Sequence, residues 1–427
     1  MTSRKLLLAL CFALGYSSHV YALLIRPADM PRMPAPAQNP ALSRHLEGLQ
    51  ALEKNDLTTA ERAFHESMRL DPQSPLPLLG LADLALRNKN SREARGWLDK
   101  ALKLAPQNAL VHQAMGRYHF ASGQHSKAVE TLKKAQQLDP NSARIPIDLG
   151  EVYMQALGKP DEAASAYRRA LSIDPQHAGA HYGLGTALAA SGKLADAENE
   201  YKMASSLSPG NPLPGQSLGR LYLQQGQADK ALATFDKVLQ VAPNFVPTLL
   251  DKGDIYLGKG DLNRALEEFQ RAIKVSPNYG LAQLKLGMAY QGLGRLSEAE
   301  KAYLTAIKAS PDLALAYNNL AWMSTESGKN LIQAEQWAKN AVKLAPDVSS
   351  FHDTLGWVYR AQKKNTLAEQ AALKATQLKP VSAEIFYHLG MIYKDQNKNK
   401  EAEMAFRKAL SIQKDYAPAQ QALAKPN

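Results

Sequence analysis

Two five-residue stretches, "NNLAW" at residues 318–322 and "DTLGW" at residues 353–357, lie 35 residues apart and share Leu, a small residue and Trp at the same three places. The chain has 427 residues but only four tryptophans, and two of them end these stretches. Apolar residues on either side recur every three or four positions, which is the spacing of an amphipathic helix. The recurrence predicts that the chain is built from copies of one helical unit.

The same pattern fills a frame of 34 residues that starts at Ala41 and runs eleven times to residue 416, with one extra residue near Gly158 and one near Asn330. The twentieth frame position is alanine in every copy: Ala60, Ala94, Ala128, Ala163, Ala197, Ala231, Ala265, Ala299, Ala334, Ala368 and Ala402. The eighth position is always Gly or Ala, and a proline closes the first ten frames. Small residues at fixed positions predict close helix crossings, where a larger side chain overpacks the contact at a cost of about 1–3 kcal/mol.

A short turn such as "SGQ" or "KGD" divides each frame in the middle. Each frame is therefore predicted to be two antiparallel helices, and the closing proline ends the second one. One helical pair cannot bury its own apolar face, whereas stacked pairs bury a continuous one. The sequence thus predicts an all-α solenoid.

The frame resembles the tetratricopeptide repeat. The shared features are the small eighth residue, tyrosine at the eleventh position of six frames, alanine at the twentieth, Phe or Tyr at the twenty-fourth position of seven frames, and the closing proline. The resemblance spans residues 41–416 and implies a right-handed superhelical solenoid of about eleven repeats with a concave groove. Residues 417–427 are expected to form a capping segment.

The first 40 residues lie outside the frame. Arg4 and Lys5 precede the apolar run 6–16, so residues 1–22 are predicted to be a cleaved signal peptide. Retention of the run as an inner-membrane anchor is the alternative. Residues 23–40 hold five prolines, which favours an extended linker. We therefore expect an exported, periplasmic protein that contacts a membrane only if this segment stays uncleaved.

The repeats leave little room for a catalytic domain. The sequence has no phosphate-binding loop, no HExxH motif and no Cys–His metal spacing, and Cys11 lies within the predicted signal peptide. We expect a protein without enzymatic activity or cofactor. The net charge of +11 favours anionic partners such as an acidic polysaccharide, but Lys and Arg are spread over all frames, which is not typical of nucleic-acid binding.

The ninth frame position changes chemistry along the chain. Repeats two to seven carry Asp83, Arg117, Glu151, Thr186, Arg220 and Asp254, whereas repeats eight to eleven carry Met288, Trp322, Trp357 and Met391. By resemblance, the second, fifth, ninth and twelfth positions line the groove. The predicted partner-binding groove therefore comprises Met288, Asn318, Trp322, Asp353, Trp357, Arg360, Tyr387 and Met391.

Two interpretations of Trp322 and Trp357 stay open: contact with a ligand in the groove, where tryptophan is common among hot spots, or packing between adjacent repeats. The first favours a non-catalytic scaffold for a protein partner. Chains with such a pair of stretches resemble repeat proteins associated with exopolysaccharide export and exosortase systems. The alternatives are a polysaccharide-binding protein that uses both indoles for stacking, and an assembly factor for an outer-membrane or pilus machine.

Overall fold

The computed structural model describes residues 39–424, and all regular secondary structure in this range is helical. The chain divides into two compact units, Met1–Val241 and Ala242–Asn427. The predicted signal peptide and nearly all of the predicted linker lie outside the described residues, as do residues 425–427. None of the helices between residues 39 and 424 has the length and apolarity needed to cross a bilayer.

The described part of the first unit contains twelve helices, which form six pairs. They are α1 Pro40–Glu53, α2 Leu57–Leu70, α3 Leu76–Arg87, α4 Ser91–Leu104, α5 Ala109–Ala121, α6 His125–Leu138, α7 Arg144–Gln155, α8 Pro160–Ile173, α9 Ala178–Ala190, α10 Leu194–Leu207, α11 Pro212–Gln224 and α12 Ala228–Val241. Turns of three or four residues join the helices of each pair, and so short a turn makes the two helices antiparallel.

The described part of the second unit contains five further pairs and one terminal helix. They are α13 Val246–Gly258, α14 Leu262–Val275, α15 Gly280–Gly292, α16 Leu296–Ala309, α17 Ala314–Ser327, α18 Leu331–Leu344, α19 Ser349–Ala361, α20 Asn365–Gln377, α21 Ala383–Asp395, α22 Asn399–Ile412 and α23 Ala417–Ala424. Within each unit, helices pack against their neighbours in sequence, as the predicted all-α repeat fold requires. The prediction of paired helices at this period is confirmed.

Local chemistry explains where the helices begin. Asn39, Asp56, Asn90 and Asp261 each precede a helix, and their side-chain oxygens accept a hydrogen bond from a backbone N–H of the first turn. Each bond satisfies a donor that the helix itself leaves open. The side chain and the following helix therefore specify the same boundary.

The small eighth position has the expected packing role. A Cβ atom placed on Gly150 lies 2.6 Å from Cζ of Tyr167, the aromatic residue at the twenty-fourth position of the same repeat. In repeat ten the partner is backbone, because a Cβ atom on Gly356 lies 3.2 Å from the carbonyl oxygen of Ala368. The alanines at the twentieth position are likewise buried in all eleven repeats. These positions set how closely the two helices of a repeat approach each other.

Candidate partner-binding surface of repeats nine to eleven

Side chains from consecutive repeats meet at fixed frame positions. In several pairs of consecutive repeats within one unit, the fifth or ninth position of one repeat contacts the sixth position of the next, and we call this meeting point a repeat junction. In the junction of repeats five and six, the hydroxyl groups of Tyr182 and Ser217 lie 3.3 Å apart. In the junction of repeats seven and eight, Nζ of Lys285 donates to both carboxylate oxygens of Asp254 at 2.7 Å. These junctions thus contain polar contacts between side chains at the same three frame positions.

The junction of repeats ten and eleven is built around a buried histidine. Nδ1 of His388 in α21 donates to Oδ2 of Asp353 in α19 at 2.8 Å, and both residues are buried. The ring of Trp357 stacks on the imidazole, with centroids 4.2 Å apart and an interplanar angle of 28°. Trp322, from α17 of repeat nine, approaches the same imidazole with centroids 5.7 Å apart. Three predicted groove residues therefore converge on His388.

Charged groups hold Trp357 in place. Its Nε1–H donates to Oε1 of Glu326 at 3.2 Å, and Cζ of Arg360 lies 4.3 Å from the centre of its ring. The guanidinium of Arg360 also donates to both carboxylate oxygens of Asp395, at 2.7 and 3.3 Å. Trp357 is half-buried, so it combines a packing role with a surface that solvent reaches.

Tyr387 closes the cluster towards the C-terminal helix. Its ring centroid lies 5.8 Å from that of His388 and 5.8 Å from that of Tyr416, the latter in an edge-on contact. Burial raises the pKa of Tyr416 to about 12, and the charges of Glu384 and Asp353 add to the effect. Tyr416 therefore keeps its proton at neutral pH beside two carboxylates.

Two acceptor atoms in repeats nine and ten lack hydrogen bonds. Oδ1 of Asp353 and Oδ1 of Asn318 are both buried and have no partner among the described residues. Both side chains occupy the fifth position of their repeats, and Asp353 as a whole is 6% exposed. A buried acceptor without a donor costs about 1–3 kcal/mol, so such atoms are rare in folded proteins.

The two methionines of the predicted groove lie in other surroundings. Met288 packs against the core cluster that contains Leu284 and Leu320. Met391 packs against a separate cluster around Phe406, which also includes Tyr387. Of the predicted groove residues, the cluster around His388 and Trp357 includes Trp322, Asp353, Trp357, Arg360 and Tyr387.

The central residue of the cluster, His388, was not among the predicted groove residues, nor were its neighbours Glu326 and Asp395. His388 occupies the sixth frame position, which was not assigned to the groove. A signal was present, because this position is polar in the last six repeats: Ser217, Asp251, Lys285, Asn319, Thr354 and His388. A polar residue beside the core stripe at the same place in each repeat indicates a partner in the preceding repeat.

Two bacterial relatives share part of this sequence, and both are named cellulose synthase operon protein C. The protein from Xanthomonas axonopodis pv. citri (strain 306) is 33% identical over 146 residues, which cover 32% of this chain and 10% of that protein. The protein from Pseudomonas fluorescens (strain SBW25) is 27% identical over 122 residues, which cover 29% of this chain and 10% of that protein. The match thus spans about a tenth of each relative's length.

Among solved structures, the chain is similar to one described as the crystal structure of the APC/C hetero-tetramer Cut9-Hcn1. The superposition has a TM-score of 0.50 and 16% sequence identity, and it covers 91% of this chain and 97% of the other. At this identity the likeness concerns the fold alone.

Models of the tetratricopeptide repeat match most of the chain. Their matches together cover residues 51–349 and 383–416, with one model matching residues 114–176, 250–314 and 284–349 and a second matching residues 51–118, 155–212 and 188–250. These ranges lie within the array of helical pairs and of buried alanines. The chain therefore belongs to the tetratricopeptide repeat family.

Proposed function

We propose that the chain is a non-catalytic scaffold that binds a protein partner on the surface formed by Trp322, Trp357, Arg360 and Tyr387. The observation that carries the proposal is the convergence of two indoles from consecutive repeats on one buried histidine, His388. Repeat solenoids bind partners on extended surfaces, and partly buried Trp, Tyr and Arg are the residue types most often found as hot spots.

We also propose that the scaffold acts in the cell envelope, in the production or export of an exopolysaccharide. Two features support this place. The N-terminal sequence has the pattern of a signal peptide, and the two bacterial relatives carry the name cellulose synthase operon protein C. A membrane anchor formed by residues 1–22 is the alternative form of the same proposal.

The geometry at Trp357 favours a protein partner over a polysaccharide. Stacking on a sugar ring requires an open indole face, but Trp357 already contacts His388 and Arg360 through its ring. The net charge of +11 favours an anionic polysaccharide as the second candidate. That attraction is distributed over the chain rather than concentrated at the two indoles.

A capture experiment tests the proposed function. The purified chain and a Trp322→Ala/Trp357→Ala double variant are used as baits for an envelope extract of the host. The matched control is Trp97→Ala, which removes a half-buried indole from α4 in the first unit. We expect protein partners that the wild type and the control retain and the double variant loses.

The same proteins are titrated with the host's own polysaccharide while tryptophan fluorescence is followed. A double variant that keeps every partner and a normal melting curve contradicts the proposal. A fluorescence change with polysaccharide that only the double variant loses supports the carbohydrate alternative instead.

A further inference from the structure

Carboxylates at two other repeat junctions receive a cation from the protein itself. In the junction of repeats three and four, Oδ2 of Asp148 accepts hydrogen bonds from Nε2 of Gln113 at 2.7 Å and from Nε of Arg117 at 2.8 Å. Nη2 of Arg117 adds a third bond, to Oδ1, at 3.1 Å. In the junction of repeats seven and eight, Lys285 neutralises Asp254. A guanidinium or ammonium group therefore fits beside a carboxylate at this place in the frame.

The junction of repeats ten and eleven has the carboxylate without such a cation. Asp353 receives one hydrogen bond, from His388 to Oδ2, and its buried Oδ1 has no donor among the described residues. The ninth position, which is arginine in repeat three, is Trp357 here, and the N–H of that indole is bonded to Glu326. Arg360 lies one helical turn after Trp357, but its guanidinium is paired with Asp395.

The surroundings of Asp353 suit a planar cation from outside. Asn318, at the fifth position of repeat nine, offers a second buried oxygen without a donor. Trp322 lies one helical turn after Asn318, so the two side chains share one face of the helix. Carboxylates of Glu326 and Glu384 lie near the cluster and add to its negative charge, in a chain of net charge +11.

We propose that this surface binds an arginine side chain of the partner protein, whose guanidinium donates to the free oxygens of Asp353 and Asn318 and stacks on the indole of Trp322. The inference rests on the proposed function and names the chemistry of its partner. Arginine fits better than lysine because its planar fork donates to several acceptors at once and stacks on aromatic rings. The partner's guanidinium pairs with Asp353 in the same way that the guanidinium of Arg117 pairs with Asp148 within the protein.

Binding requires a side chain to move. Oδ1 of Asp353 is buried in the unbound protein, so a ligand reaches it only after the cover opens. Trp322 is half-buried and makes a tilted ring contact with His388, whereas Trp357 is fixed by a hydrogen bond and by Arg360. Trp322 is therefore the less constrained of the two indoles, and a change in its fluorescence should report binding.

The test uses the full chain and three labelled probes of equal length: hexa-arginine, hexa-lysine and hexa-glutamate. Affinity is measured by fluorescence anisotropy at about 0.15 M salt, where screening reduces non-specific attraction. We expect hexa-arginine to bind and to change tryptophan fluorescence. Asp353→Asn should weaken its binding about tenfold or more, because one charge-assisted hydrogen bond is lost. Asn318→Asp should strengthen it, and this variant keeps the test informative if Asp353→Asn destabilises the fold.

Asp254→Asn is the matched control, since Asp254 lies at the ninth position of another repeat and is already paired with Lys285. It should leave the affinity for hexa-arginine unchanged within about twofold. The inference is overturned if hexa-arginine does not bind, if Asp353→Asn binds it equally well, or if hexa-lysine binds as tightly. Binding of hexa-glutamate, or Asp353-dependent binding of a chitosan hexamer, also overturns it.

Competition separates this inference from the proposed function. Partners captured from the envelope extract should be released by hexa-arginine and captured poorly by Asp353→Asn. If the tryptophan double variant loses the partners but hexa-arginine does not release them, the scaffold function stands and the arginine site fails. If the double variant retains every partner while hexa-arginine binding depends on Asp353, the proposed function fails.

Discussion

The junction of repeats three and four and the junction of repeats ten and eleven are built from the same three frame positions. They differ in how many hydrogen bonds their buried carboxylate accepts. In the first, the carboxylate of Asp148 accepts three hydrogen bonds from Gln113 and Arg117. In the second, the carboxylate of Asp353 accepts one, from His388. One polar cluster is complete within the protein, and the other contains a buried acceptor, Oδ1 of Asp353, that has no donor among the described residues.

The difference lies in which side chain occupies the ninth position. Arginine in repeat three reaches the carboxylate of the next repeat, whereas tryptophan in repeat ten covers the neighbouring imidazole and directs its only donor to Glu326. A repeat array allows this substitution because each junction depends mainly on its two neighbouring repeats. A binding surface can therefore be placed in one region without changing the frame elsewhere.

The largest expected effect comes from breaking the complete cluster. Arg117→Ala removes two of the three hydrogen-bond donors of Asp148. The carboxylate then lacks its cation although Asp148 is only 4% exposed. We expect the free energy of unfolding of the surrounding repeats to fall by about 3–5 kcal/mol, as is usual when one partner of a buried pair is lost. Urea unfolding with hydrogen exchange of α5 to α7 measures the loss.

Arg168→Ala is the control for this variant, because Arg168 is exposed on α8 of the neighbouring repeat. Its effect should stay within about 0.5 kcal/mol. An Arg117→Ala variant as stable as Arg168→Ala would show that the pair contributes nothing, and the contrast between the two junctions would lose its energetic basis.

The first repeat handles a buried polar group in a third way, by keeping it uncharged. His45 is 1% exposed, and both of its ring nitrogens lack hydrogen-bond partners among the described residues. Burial lowers its pKa from 6.5 to about 4. The unfolded chain therefore takes up a proton near pH 6.5, while the folded chain does so only near pH 4.

Stability from this group is complete above about pH 6.5 and is lost as the pH falls towards 4. We expect α1 and α2 to lose up to about 3 kcal/mol over this range. Hydrogen exchange of the first repeat at several pH values measures it, with His45→Leu as the reference that lacks the titrating group. Equal pH dependence in the two proteins would rule out a buried neutral histidine.

Much of the fold could be predicted from the sequence, because the frame is set by local packing. Ala299 and the other alanines at the twentieth position are buried as expected, and Gly150 is small because Tyr167 occupies the space beside it. The helical pairing, the repeat period and the two frames with an extra residue all follow from side chains within one repeat. Such contacts join residues at fixed separations, which a single sequence reveals.

The candidate surface could be predicted only in part. The ninth-position pattern identified Trp322 and Trp357, but not that both rings meet on His388 from different repeats. That meeting depends on the offset between repeats, which brings the sixth position of one helix opposite the fifth of another. The unpaired oxygens of Asn318 and Asp353 could not be foreseen, since satisfaction of an acceptor depends on where every nearby donor points.

The smallest expected effect provides the sharpest comparison of the two junctions. Asp353→Asn and Asp148→Asn make the same chemical change, from a carboxylate to an amide of equal size. Asp148→Asn should cost about 3 kcal/mol, because the change removes the buried carboxylate charge that pairs with the guanidinium of Arg117. Asp353→Asn should change the free energy of unfolding by less than about 1 kcal/mol, because the amide oxygen still accepts from His388 and the buried charge is removed.

Parallel urea titrations of both variants measure the two effects under one condition. A cost for Asp353→Asn as large as that for Asp148→Asn would mean that the carboxylate of Asp353 is already stabilised within the protein. In that case no donor from a partner is needed, and the two junctions would be equivalent. A small cost combined with loss of hexa-arginine binding would show that the charge of Asp353 is retained for its ligand rather than for the fold.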